Sequence, residues 1–387
     1  MISQRVQGFT ESVIREMTRV SAEHGGVNLA QGFPNFMPPP ELVQAAHRAI
    51  DGDFHQYAIT WGARNLREAI AAKFERFYGP AVDPERQVTV CCGSTEAMLA
   101  TLLAVLDPGD EVIIFEPFYE NYGPGAIIAG ARPVYVPLEP PDFSFDAERL
   151  ARAFSPRTRA LIFNSPNNPT GKVFTTRELE VIAELCQRHG VVAITDEIYE
   201  HIVYDGRRHV PIATLPGMWD RTVTISGVSK SYSVTGWRIG YTISSPELAV
   251  GIRRAHDFIT VGAPAPLQEA AVTALRMPDG YYVQLRQAYQ ARRDLLRRLL
   301  AEAGFHTFDP QGAYYILTEC AHFLERYELP DDTAFAMFLV REVGVATVPG
   351  SSFYAHPELG RTKIRFCFPK TDDVLLEAGQ RLQKLPH

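Results

Sequence analysis

The stretch RALIFNSPNNPTGKVFTTRELEVIAELCQRHGVVAITDEIY, residues 159–199, decides the fold. Its ends, 159–164 and 191–196, are short apolar runs rich in β-branched residues, which predict strands. Between them lies a Pro/Gly turn and then an amphipathic stretch over 175–189. Thr175 and Glu178 have the spacing of a capping box there, and Gly190 supplies the stop. A strand–helix–strand unit whose strands are apolar on both faces predicts a parallel sheet covered on both sides. Working outward, the same texture recurs. Strands are expected at 87–92, 111–115, 133–138, 222–226 and 238–243, and helices at 95–106 and 146–153.

After about residue 280 the texture changes. A long helix is expected at 281–303, with Leu285, Tyr289 and Leu296 on one stripe. It is followed by a strand at 313–317, a helix at 332–342, short strands at 346–349 and 363–368, and a closing helix. The reading is an α/β chain with a mostly parallel central sheet in a large domain, residues 46–285, and a smaller α+β domain, residues 286–387. Residues 1–45, with Pro34, Pro38, Pro39 and Pro40, join the small domain or arm across a partner.

Composition sets the outer bounds. The 387 residues are 46% hydrophobic and 21% charged, as in globular proteins. The formal net charge of −7 argues against a nucleic-acid surface. No apolar stretch reaches the ~18–20 residues of a membrane span, and residues 1–17 lack the apolar core of a signal peptide. The five cysteines, Cys91, Cys92, Cys186, Cys320 and Cys367, show no zinc-site spacing, so no metal is expected. An odd count fits a reducing cytoplasm better than a disulfide framework.

Ligands of such sheets bind beyond the carboxyl ends of strands. Gly93-Ser94-Thr95 opens a helix after the first strand and could hold a phosphate. Asn167 and Asn168 follow the strand at 159–164, and Asp196-Glu197-Ile198-Tyr199 ends the one at 191–196. Ser226-Gly227-Val228-Ser229-Lys230 follows the next, with Arg238 eight residues on. Lys230 stands among small residues past an apolar strand; desolvation there would lower its pKa and leave a nucleophilic amine, as a Schiff-base lysine needs. A lysine, a phosphate cradle with an arginine, a carboxylate and hydroxyl donors are together what pyridoxal phosphate requires.

The segment GVSKSYSVTGWRIG, residues 227–240, resembles the cofactor-attachment signature of class I/II pyridoxal-phosphate-dependent aminotransferases of fold type I. The motifs GST (93–95), EPFY (116–119), NNPTG (167–171), DEIY (196–199) and IRFCF (364–368) occur in the same order. The wording of QGFP (31–34) and RFCF (365–368) is similar to the kynurenine/glutamine/methionine aminotransferase subgroup. The resemblance implies a role for each residue. Lys230 would carry the cofactor and shuttle a proton. Asp196 would pair with the ring nitrogen, and Tyr199 and Asn168 would donate to the ring oxygen. Gly93, Ser94, Thr95 and Arg238 would cradle the phosphate. Tyr119, with Phe118 as its rival, would stack on the ring. Tyr57 would reach the phosphate of a neighbouring subunit, implying a homodimer. Arg365, assisted by Gly32, would grip the substrate carboxylate. One departure is Gly227, where the family often has Ser; Ser226 or Ser229 would then supply the hydroxyl.

The activity implied is ping-pong transfer of an amino group from an amino acid to a 2-oxo acid such as 2-oxoglutarate. The expected donors are aromatic, kynurenine-like, or neutral such as methionine and glutamine, because residues 256–262 offer no second arginine and Arg253 and Arg254 read as helix-surface charges. Aspartate transamination, with Arg64 facing the side chain, and β-elimination from cysteine conjugates are the alternatives. An effector-sensing binding module is a further possibility, but the acidic chain leaves no length for a DNA-binding domain.

Overall fold

A computed structural model gives the structure and describes residues 2–7, 9 and 11–385. The central sheet has seven strands in the order Val88–Cys91, Gly240–Ile243, Thr222–Gly227, Val192–Asp196, Thr158–Asn164, Glu111–Glu116, Arg132–Pro137. All run parallel except Gly240–Ile243, which is antiparallel to both neighbours. Period-two alternation sends the apolar residues to two separate cores. Ile113, Phe115, Leu161, Phe163 and Ala193 meet Leu179, Ile182 and Cys186 of the helix Thr176–His189. Val112, Ile114, Ile162, Ile194 and Val223 meet Ala97, Met98 and Leu102 of the helix Ser94–Val105 and Ile252 of the helix Pro246–Thr260. Burial on both faces explains why these strands read as continuous apolar runs.

The capping box at Thr175 and Glu178 is formed, and Gly190 closes that helix in the left-handed conformation. The long helix Asp279–Glu302 touches two cores: Tyr282 packs with the sheet side, Tyr289, Leu296 and Leu300 with the C-terminal elements. The latter form a four-stranded antiparallel sheet in the order Val348–Pro349, Lys363–Cys367, Tyr315–Glu319, His306–Thr307. The N-terminal segment packs here. Met17, Val20 and Leu29 join that core, and Val27–Asn28 pairs in parallel with Val345–Ala346.

Four expected elements differ. The strand expected at 313–317 runs over Tyr315–Glu319, because Ala313 takes a left-handed conformation (φ 55°). The strand expected at 238–243 starts at Gly240, because Arg238 takes a left-handed conformation (φ 56°) after a short 3-10 turn. The helix expected at 332–342 is α-helical only over Asp332–Phe338 and widens into a π turn, Leu339–Val343, that Gly344 ends. The strand expected at 346–349 divides at Thr347, its halves pairing with different partners. Among the described residues no helix is long and apolar enough to cross a membrane.

Candidate active site

Strand ends and two glycine-tight turns converge on one cavity of about 450 Å³, lined by Gly32, Ser94, Thr95, Tyr119, Asn168, Asp196, Tyr199, Lys230, Arg238 and Arg365 among others. Asn164 and Asp196 are register partners at the ends of neighbouring parallel strands. The Asn164 side chain locks this corner: its Nδ2 donates to the Asp196 carbonyl at 2.7 Å, and its Oδ1 accepts from the Asn168 amide at 2.7 Å. Asp196 is buried, and burial pushes its carboxyl pKa up. Its partners are the Tyr122 hydroxyl at 2.7 Å and the Ile198 amide at 3.2 Å; among the described residues it has no ion-pair partner. A buried carboxylate held by two donors and no cation is set up to meet a cationic group.

Lys230 follows the strand Thr222–Gly227 by three residues and is half-buried. Burial and the nearby Arg238 lower its amine to about 8. The amine reaches the Gly32 carbonyl at 3.4 Å, which also accepts from Tyr314 Oη at 2.7 Å. Tyr199 Oη and Tyr315 Oη are 2.9 Å apart, and burial raises the Tyr199 hydroxyl far above its ordinary value, so it stays a donor.

The anion cradle is built by backbone contact. Gly93 caps the helix Ser94–Val105 at φ 83° and has no side chain to occupy the helix's first N–H groups, while Ser94 and Thr95 of that first turn line the cavity. A Cβ on Gly93 would collide with the Arg238 guanidinium, and one on Gly240 with the Gly93–Ser94 backbone. Gly227 is the register partner of Gly240. A Cβ there would lie 2.7 Å from the Ile239 carbonyl and 3.0 Å from Gly240 Cα, so the family's frequent serine does not fit this backbone. Ser226 is not its replacement: its hydroxyl donates to the buried Glu200 at 2.8 Å, which in turn holds Lys73 at 2.7 Å. Ser229 lines the cavity. Gly227→Ser is expected to destabilise by about 1–3 kcal/mol through overpacking, and thermal unfolding of both proteins measures it.

Arg365 is wholly buried on the strand Lys363–Cys367, its guanidinium 4.3 Å from the Tyr315 ring centroid and 4.8 Å from that of Phe353. One nitrogen donates to Asn168 Oδ1 at 2.8 Å and another to the Ala30 carbonyl, while Nε has no partner. An uncommitted buried N–H on a cation calls for an anion.

Of the two aromatic candidates, Tyr119 lines the cavity, whereas Phe118 is buried against Tyr135. Tyr57 is not brought to the site of its own chain; it is 88% exposed. Arg64 is exposed, pairs with Glu68 and lies outside the cavity. Arg253 is not a plain surface charge: it donates to the Glu85 and Val88 carbonyls at 2.7 and 2.8 Å and packs on Trp61. Residues that the sequence did not single out, Tyr122, Asn164, Tyr314 and Tyr315, complete the site. Asn164 had a signal, its position at a strand end; the tyrosines arrive through tertiary packing.

The family profile described as "Aminotransferase class I and II" matches residues 24–382. The chain belongs to this family. It is 42% identical over 396 residues to the probable N-succinyldiaminopimelate aminotransferase DapC of Mycobacterium tuberculosis, covering 100% of this chain and 98% of that one. The solved structure of the M. tuberculosis N-succinyldiaminopimelate aminotransferase superposes with a TM-score of 0.96 at 42% identity, each chain fully covered. The human kynurenine–oxoglutarate transaminase 1 is 37% identical over 411 residues, 99% and 97% covered. The protein is therefore an aminotransferase of fold type I, an enzyme of amino acid metabolism, and its family uses pyridoxal phosphate.

Proposed function

We propose that this aminotransferase binds pyridoxal phosphate in the 450 Å³ cavity and moves the amino group of an aromatic, kynurenine-like or neutral amino acid to a 2-oxo acid. One observation carries the reading: Lys230, the ion-pair-free Asp196, the Gly93–Arg238 cradle and the half-satisfied Arg365 all face a single cavity. These residues fit the cofactor's amine, ring-nitrogen, phosphate and substrate requirements in turn. Bound there, the cofactor supplies an aldehyde for amines and a ring that accepts the electron pair left when the α C–H bond breaks.

The chain's own residues do the rest. The Ser94 and Thr95 hydroxyls, the helix N-terminus and Arg238 bind the phosphate. Asp196 keeps a proton on the ring nitrogen, and Tyr122 keeps Asp196 ionised and oriented. Tyr199 and Asn168 donate to the ring oxygen. Arg365 binds the substrate α-carboxylate and fixes the α-carbon beside Lys230. The Lys230 amine, brought near neutral pH by burial, takes the α-proton and holds it. Arg365→Lys cannot reproduce the planar fork. It is expected to raise KM about 10–100-fold, the loss of one to two charge-assisted hydrogen bonds, with kcat less affected; steady-state kinetics with one donor separates the two.

The homodimer belongs to the same proposal. Phe54, Tyr57, Ile59, Phe258, Ile259 and Val261 are exposed, and the two segments carrying them meet where His256 Nε2 contacts the Thr60 carbonyl at 2.8 Å. A second copy covering this apolar surface would place Tyr57 at its neighbour's cradle. We place the enzyme in a reducing cytoplasm, because its odd number of cysteines makes a poor disulfide framework.

A panel of amino donors followed by cofactor absorbance tests the function. The panel includes kynurenine, phenylalanine, methionine, glutamine, aspartate and N-succinyldiaminopimelate, given the relatives' named substrates. Bleaching by the aromatic and neutral donors is expected. Pyruvate and ammonia released from cysteine conjugates without an acceptor would mark β-elimination instead, and no response to any donor would overturn the proposal.

A further inference from the structure

Four cations line the cavity: Arg15, Lys230, Arg238 and Arg365. Three have tasks in the proposed reaction. Arg15 has none. It stands on the helix Val13–Glu23, whose opposite side buries Met17 and Val20 in the small-sheet core. Thr18 Oγ1 further ties that helix to Gln31 at 3.0 Å, and Gln31 also lines the cavity. Arg15 is thus presented by an anchored element and not by a loose tail. Its residue is exposed, whereas Arg365 is wholly buried, so Arg15 stands at the mouth and Arg365 at the floor. Among the described residues its guanidinium makes neither an ion pair nor a side-chain hydrogen bond.

The surroundings of Arg15 are polar. Ser12, Glu120 and Asn121 share the mouth, with Ile14 the aliphatic residue that the helix contributes. Glu120 lines the same mouth, and its carboxylate is engaged by the Ser12 hydroxyl at 2.5 Å. Arg15 also lies near enough to Tyr119 to work electrostatically against the upward push of burial on that hydroxyl. An unpaired guanidinium at the mouth, with the α-carboxylate claimed at the floor, selects for a second negative group on the same substrate.

We propose that Arg15 is the residue that binds the distal carboxylate when the acceptor is a dicarboxylic 2-oxo acid, such as the 2-oxoglutarate expected from the sequence, and that it sets the preference for that acceptor over neutral ones. This rests on the aminotransferase reading of the cavity and adds the residue that discriminates between acceptors. It also supplies, from the N-terminal helix, the second arginine that residues 256–262 lack. Glu120, held by Ser12 at the same mouth, opposes a distal negative charge and tunes the preference.

The test compares glutamate with glutamine, which differ at the distal end only in charge. Single half-reactions of the cofactor-loaded enzyme are followed by absorbance. The wild-type protein is expected to prefer glutamate. Arg15→Gln is expected to lower the glutamate-to-glutamine ratio of kcat/KM by roughly 10–100-fold, the value of a charge-assisted hydrogen bond, chiefly through KM. Arg15→Lys keeps part of the ratio, and Glu120→Gln raises it. A ratio unmoved by Arg15→Gln, or a wild-type enzyme that turns over other amino acids but not glutamate, overturns the assignment of Arg15 and leaves the aminotransferase reading intact. Failure with every amino acid sinks that underlying reading instead.

Discussion

Lys230→Ala is expected to reduce transamination by at least about a thousandfold, within the range contributed by a positioned acid–base group together with loss of the covalent anchor. Two measurements check it. The steady-state rate should fall to background, and borohydride reduction of the cofactor-loaded wild-type protein followed by peptide mapping should find the label on residue 230. Turnover by the variant near the wild-type rate would show that another amine serves. The environment predicts a further property. Burial and Arg238 hold the amine at about 8 where an ordinary lysine titrates near 10.5. The lowered value favours the neutral amine in the folded chain, so the free base is populated as pH rises through about 8. In cofactor-free protein, acetic anhydride labelling of Lys230 should therefore rise with a midpoint at about pH 8 and level off about one to two pH units above it. A profile with its midpoint near the ordinary lysine value would mean that the side chain is solvated.

Asp196→Asn is the second large effect. The substitution keeps the shape and removes the charge. Asp196 is buried with two donors, Tyr122 and the Ile198 amide, and burial, with a smaller push from Glu197, drives its pKa upward. A ring-nitrogen cation placed against it would form a buried pair, and removing one partner of such a pair costs about 3–5 kcal/mol. Cofactor affinity is expected to fall by roughly 10²–10⁴-fold, read from dialysis against apoprotein, with the rate of α-proton loss falling as well. Tyr122→Phe removes one hydrogen bond to the carboxylate and should cost roughly tenfold. Equal affinity in wild type and Asp196→Asn would show that the ring is held without this acid.

The residues that carried their role in local sequence are those placed by the sheet. Asp196 ends a strand, Lys230 follows one by three residues, and Gly93-Ser94-Thr95 opens a helix directly after another; each position is fixed by its own neighbours. Arg365 was legible because apolar residues flank it in a strand. Tyr315 was not. It comes from a different sheet and meets Tyr199 across 116 residues of chain, a contact that only packing of the two bodies creates. Tyr122 opens the helix Tyr122–Ile128 just after Tyr119, and nothing local distinguishes it from a core tyrosine. Arg15 was unreadable for a similar reason: its helix reads as an ordinary amphipathic segment until the fold brings it to the cavity mouth. The strand boundary at Arg238 was misread because a non-glycine residue rarely adopts positive φ.

Gly93, Gly227 and Gly240 bring three backbones together with no side chain between them. A wall without rotamers cannot breathe by repacking; its dimensions are those of the peptide units themselves. That side of the anion seat is consequently stiff, and any adjustment to a guest larger or smaller than a phosphate falls to the side chains that face it, Ser94, Thr95 and Arg238.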